Sequence, residues 1–120
     1  MAIRVLIVDD ALLIRQMLRT ILSRGNYEVI GEAADGGEAV RRYGELCPDV
    51  VLLDIMMPEV DGVTALRQII AQDANARVVM CSALDQKAVI TEALNAGARD
   101  FIIKPFTPDK VREAVTKAAA

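Results

Sequence analysis

The 120-residue chain contains no histidine. That absence excludes Ser-His and Cys-His nucleophilic catalysis, imidazole metal ligation and any role as a phosphohistidine donor, and leaves chemistry to carboxylates, hydroxyls and lysines. Tryptophan is also missing and aromatic residues make up only 3% of the chain, so Trp fluorescence is no probe of it. Two cysteines, Cys47 and Cys81, lie far apart in sequence, without the short paired spacing of a zinc or thioredoxin-like site, and read as reduced structural thiols. The formal charge of -3 and the lack of a dense Lys/Arg stripe leave no electrostatic footprint for nucleic acid or an anionic membrane surface. The apolar opening Ile3 to Val8 meets Asp9-Asp10 too soon for a membrane span or a signal-peptide core, which predicts a cytoplasmic protein.

What is present is the composition of a folded domain: 53% hydrophobic and 26% charged residues, with four Pro and seven Gly. A chain of this length buries roughly two-thirds of its unfolded surface. One domain over residues 1–120 is expected, with no linker, internal repeat or output module before the closing Ala118-Ala119-Ala120.

Short apolar runs rich in branched residues, Val5 to Val8, Val50 to Leu53, Val78 to Met80 and Phe101 to Ile103, suit strands covered on both faces. The less apolar Glu28 to Ala33 reads as an edge strand. Between them lie helical spacings. Ile14, Met17, Leu18 and Ile21 form a stripe opposite Arg15, Gln16, Arg19 and Thr20. Asp35 and Glu38 resemble a capping box opening a helix through Val40 and Tyr43 that stops near Cys47-Pro48. Val63, Leu66 and Ile69 mark a third helix, and Val89, Ala93 and Ala96 a fourth ended by Gly97. Thr107-Pro108 supply the cap and first-turn proline of a fifth, through Val111 and Val115. Five β-α repeats predict an α/β fold, a five-stranded parallel sheet with helices on both faces.

In such a sheet, ligands bind outside the carboxyl ends of the strands. Asp9 and Asp10 follow the first strand, Asp54 ends the third, Ser82 the fourth and Lys104 the fifth, so four of five strands deliver polar groups to one rim. Each residue alone has a structural explanation: Asp10 as a helix cap, Ser82 as a turn residue. Together they are a site. Two carboxylates about 4 Å apart repel by roughly 4 kcal/mol at an effective dielectric near 20, so a positive group must sit among them. Mg2+, a hard oxygen-seeking cation, fits that requirement, and Lys104 adds a second positive charge.

Val8-Asp9-Asp10, Leu52-Leu53-Asp54-Ile55-Met56-Met57-Pro58-Glu59-Val60-Asp61-Gly62, Cys81-Ser82-Ala83 and Lys104-Pro105-Phe106 resemble the response-regulator receiver family over essentially the whole chain. The resemblance implies a flavodoxin-like fold with strand order 2-1-3-4-5 and a cis peptide at Lys104-Pro105. It implies that Asp54 accepts a phosphoryl group from a partner histidine kinase, aided by Lys104 and Ser82. It also implies that Asp9, Asp10, Asp54 and the main-chain carbonyl of Met56 hold Mg2+, Asp9 mainly through metal-bound water. Such a protein promotes its own phosphorylation and dephosphorylation without being a conventional turnover enzyme. Ser82 and Phe101 would be the switch, and Phe101 departs from the Tyr that many members carry, so no phenolic hydrogen bond can contribute. An inert core place is the alternative for Phe101. Lys87, Ile90, Leu94, Phe101 and Lys117 would face a downstream protein, such as a flagellar motor switch, in a monomer of the single-domain chemotaxis type. The apolar Met56 and Leu84 beside the site predict slow hydrolysis of the phosphorylated form.

Other readings are a receiver cut from a DNA-binding regulator, a phosphate-independent interaction domain with a vestigial site, and an aspartyl phosphohydrolase. The last is disfavoured because Asp54-Ile55-Met56 lacks its Asp-x-Asp pattern. A dinucleotide-binding module is disfavoured because Val8-Asp9-Asp10-Ala11 stands where Gly-x-Gly should begin.

Overall fold

The computed structural model describes residues 2–57, 60–83 and 86–120. Five strands alternate with five helices: β1 (Ile3–Val8), α1 (Leu12–Leu22), β2 (Tyr27–Ala33), α2 (Gly36–Leu46), β3 (Val50–Asp54), α3 (Gly62–Gln72), β4 (Val78–Ala83), α4 (Lys87–Asn95), β5 (Asp100–Lys104) and α5 (Pro108–Ala119). The strands form one sheet in the order β2-β1-β3-β4-β5. All four pairings are parallel, with one register irregularity between Val5 and Leu6 where β1 meets β2. The polar β2 is an edge strand, as its composition predicts.

Successive side chains of a strand point to opposite faces, so a strand apolar at every position feeds two cores. Val5 and Ile7 of β1 join Val50, Leu52 and Val79 in the layer packed against Leu18, Ile21 and Leu22 of α1 and Val111 and Val115 of α5. Leu6 and Val8 join Val51, Leu53 and Met80 in the opposite layer, against Ala39 and Tyr43 of α2, Leu66 and Ile69 of α3 and Ile90 and Ala93 of α4. Every residue of β3 is buried. Full burial of one such branched side chain stabilises by about 1.5–3 kcal/mol.

Helix ends follow their local chemistry. The Asp35 carboxylate accepts from the Glu38 amide at 2.8 Å, and Glu38 reaches back to the Ala34 amide at 2.7 Å, one residue before the cap. Asp61 and Thr107 cap α3 and α5 by accepting from the amides of Thr64 and Lys110. Gly97 follows α4 at φ 117°, a conformation that favours glycine.

Three expectations need correction. Met17 is 43% exposed, whereas Leu22 is buried with Leu18 and Ile21, so the inward stripe is Ile14, Leu18, Ile21 and Leu22. Each helical residue turns by about 100°, and Met17 falls just beyond the buried arc. Ile90 is 6% exposed and packs with Leu66 and Ile69 in a core layer, which removes it from the partner-facing surface. The residue preceding α1 is Ala11, without a side-chain cap, and the nearby amide is served by Asp9 rather than Asp10.

Candidate functional site

The carboxyl ends of β1, β3, β4 and β5 converge because all strands of the sheet run the same way. Asp9, Asp54 and Ser82 are the buried polar residues among those described. The carboxylates of Asp9, Asp10 and Asp54 offer oxygens within 4.8 Å of one another. Asp9 and Asp54 are enclosed, while Asp10 is exposed. The expected cluster is therefore assembled, with one member open to solvent.

The Lys104 ammonium donates to Asp9 Oδ2 at 3.1 Å and to Asp54 Oδ1 at 3.3 Å, bridging the enclosed pair. Asp54 Oδ1 also accepts from the Met56 amide at 3.3 Å. Burial, reinforced by the charge of Asp9, pushes the Asp54 carboxyl above its ordinary value despite the pull of Lys104. Burial acts to lower the Lys104 pKa, but the charges and hydrogen bonds of Asp54 and Asp9 overcome it and raise the net value. The Lys104-Pro105 peptide is cis, as the resemblance implies.

Every hydrogen-bonding group of Asp9 has a partner. Its amide donates to the Ala33 carbonyl at 3.1 Å and its carbonyl accepts from Arg15 Nη1 at 2.7 Å. Asp9 Oδ1 accepts from the Ala11 amide at 2.9 Å, and Oδ2 takes the lysine. Arg15 in turn donates through Nε to Glu32 on β2 at 2.8 Å, and Arg19 donates to the other oxygen of that glutamate. Sequence reasoning placed Arg15 and Arg19 on a polar face and missed this contact. The only signal was a carboxylate at position 32, one of two glutamates on the edge strand.

The remaining candidates divide. Ser82 is enclosed at the rim, and its hydroxyl donates to the Ala83 carbonyl at 2.8 Å. Met56 projects its side chain outward, 64% exposed, which leaves its main chain facing the cluster through the amide. Phe101 is 37% exposed at the β5 edge, so an inert core place is ruled out. A cleft of about 340 Å³ runs beside it, lined by Ile103, Lys110, Glu113 and Lys117 among others. Lys87, Leu94 and Lys117 are exposed. Leu84, like Pro58 and Glu59, lies outside the described residues. None of the described helices is long and apolar enough to cross a membrane.

Residues 5–116 match the response regulator receiver domain. The chemotaxis protein CheY of Thermotoga maritima is 52% identical over 116 residues, which is 97% of each chain. The CheY of Bacillus subtilis is 51% identical over 117 residues, 98% of each. Among solved structures, the CheX-CheY-BeF3-Mg+2 complex from Borrelia burgdorferi superposes with a TM-score of 0.92 at 40% identity, covering 98% of this chain and 89% of that one.

Proposed function

The chain belongs to the response regulator receiver domain family, and from that premise we propose that it is a single-domain chemotaxis-type regulator phosphorylated on Asp54 by a histidine kinase. The observation that carries the reading is the Lys104 ammonium held between the enclosed carboxylates of Asp9 and Asp54 beside the open carboxylate of Asp10. Identity of 52% and 51% to the two CheY chains supports the chemotaxis type.

Asp54 is the acceptor because it ends the central strand β3 and directs its carboxylate to the rim. One of its oxygens attacks the phosphorus of the donor phosphohistidine. The P–N bond breaks as the acyl phosphate forms, and the imidazole leaves with the partner. Lys104 already contacts Asp54 Oδ1, so its ammonium lies next to the charge that the phosphoryl group brings. Ser82 can turn its hydroxyl from the Ala83 carbonyl to a phosphoryl oxygen.

The donor set fits Mg2+: three carboxylate oxygens within 4.8 Å are hard ligands of the kind this ion takes, few in number and open to solvent on the Asp10 side. Asp9, Asp10, Asp54 and the Met56 carbonyl would hold it, and when bound it supplies charge neutralisation for the acids and the phosphoryl oxygens. The chain thereby assists its own modification without turning over a separate substrate. Phosphorylation alters the Ser82 and Phe101 neighbourhood, and Lys87, Leu94, Phe101 and Lys117 meet a downstream protein in the cytoplasm, with a flagellar motor switch as the expected class.

Intact-mass measurement after treatment with acetyl phosphate tests the reading. A single phosphate-sized increment is expected with Mg2+, absent without it and absent in Asp54→Asn. An unmodified wild-type chain under all conditions would overturn it.

A further inference from the structure

Asp10 differs from the other acids of the cluster. Among the described residues its carboxylate has no protein hydrogen-bond partner, and its backbone follows directly from the peptide that joins it to Asp9. The carbonyl of that peptide is the one that Arg15 Nη1 holds at 2.7 Å. Arg15 is itself fixed through Nε on Glu32 at 2.8 Å, and its side chain is only 16% exposed. The guanidinium fork thus ties β2 to the β1–α1 connection and holds the Asp9-Asp10 peptide by its carbonyl. Planar, two-pronged donation of this kind is what arginine supplies and lysine does not.

We propose that Arg15, braced by Glu32, is a positioning residue that aims the Asp10 carboxylate at the divalent-cation site by holding the Asp9 carbonyl. This rests on the reading of the acidic cluster as a cation site. It adds a group that touches neither cation nor phosphoryl, and whose formal charge acts against the effect assigned to it. A guanidinium so close to a cation site repels the cation. If Arg15 acted through charge alone, removing it would tighten Mg2+ binding. If it acts by holding the loop, removing it weakens binding. The two roles predict opposite signs.

The test is Mg2+ affinity by isothermal titration calorimetry on wild type, Arg15→Ala, Arg15→Lys and Glu32→Gln, each shown to be folded by a two-dimensional amide NMR spectrum. Arg15→Ala is expected to weaken binding roughly 10- to 100-fold, the usual cost of losing a group that orients a metal ligand. Arg15→Lys keeps the charge but cannot engage the Asp9 carbonyl and Glu32 together, so it should lose most of the same affinity. Glu32→Gln should fall between these and wild type. Should Arg15→Ala fail to fold, Arg15→Lys and Glu32→Gln carry the comparison alone. Unchanged or tighter binding in the folded variants overturns the proposal. Failure of wild type to bind Mg2+ instead overturns the cation-site reading beneath it.

Discussion

Gly62 lies directly against the main chain of Asp54: a methyl group placed on its α-carbon would come within 2.2 Å of the Asp54 carbonyl oxygen and 2.6 Å of the Ile55 α-carbon. The Gly62 amide also donates to the Ile55 carbonyl at 2.9 Å, drawing the first turn of α3 onto the end of β3. Glycine in a helix ordinarily costs about 0.5–1 kcal/mol relative to alanine. Here the steric term is larger, because the obstacle is backbone and cannot swing away. Gly62→Ala is expected to destabilise by about 1–3 kcal/mol in urea unfolding. Gly37 is the internal contrast, since a methyl there meets only Asp35 Oδ1 at 3.5 Å. Gly37→Ala should gain about 0.5–1 kcal/mol in the same measurement.

Asp54→Asn should raise the melting temperature of the metal-free protein. Burial and the Asp9 charge lift the Asp54 pKa in the folded state. A carboxyl raised in this way opposes folding once ionised: stability is greatest below its unfolded pKa and falls as pH rises through the folded value. At pH 7 the amide variant escapes that cost, with a gain on the order of 1 kcal/mol, a few degrees in Tm. Calorimetric scans in EDTA at pH 7 and below pH 4 check the sign, and the advantage should shrink at the lower pH.

Glu32 has the opposite linkage. Burial acts to raise its pKa, but Arg19 and Arg15 outweigh burial and hold the carboxyl below its ordinary 4.5. Its contribution is therefore present above that value and disappears as pH falls through the lower folded-state one. Glu32→Gln should cost about 1 kcal/mol or less at pH 7, since Arg19 is half exposed and the pair is partly screened. The deficit should vanish in urea titrations at pH values well below 4.5.

The two thiols should separate cleanly by reactivity. Cys47 is exposed and Cys81 is buried. Burial pushes the Cys81 thiol up to about 12, so almost none is thiolate at neutral pH. Ellman's reagent should modify one thiol per native chain quickly and the second only on unfolding. A second fast equivalent without denaturant would contradict the enclosed place of Cys81 between Val79 and the rim.

Much of this architecture is legible in residue order. Branched apolar runs mark strands wherever both faces are covered, and Asp35 and Thr107 mark helix starts through their own side-chain bonds. Rotational phase is less legible. Met17 and Leu22 are both apolar and lie on opposite sides of the Ile14, Leu18 and Ile21 stripe, and the order of residues does not show which of them the core covers. Ile90 reads as available surface because a helix shows its stripe without showing how much of it a neighbour covers. The acids and the lysine are visible because each closes a strand. The bracing of Asp9 by Arg15 and Glu32 is not, because it joins residues of ordinary surface type across 17 positions of chain.

No single stretch of polypeptide carries the pocket; positions 9, 10, 54, 82 and 104 come from the ends of β1, β3, β4 and β5 and meet only when those four strands lie side by side. A chain stalled before its last strand docks would hold paired acids without their ammonium. The complete charge arrangement of the pocket therefore depends on β5 as much as on the strands that bring the acids.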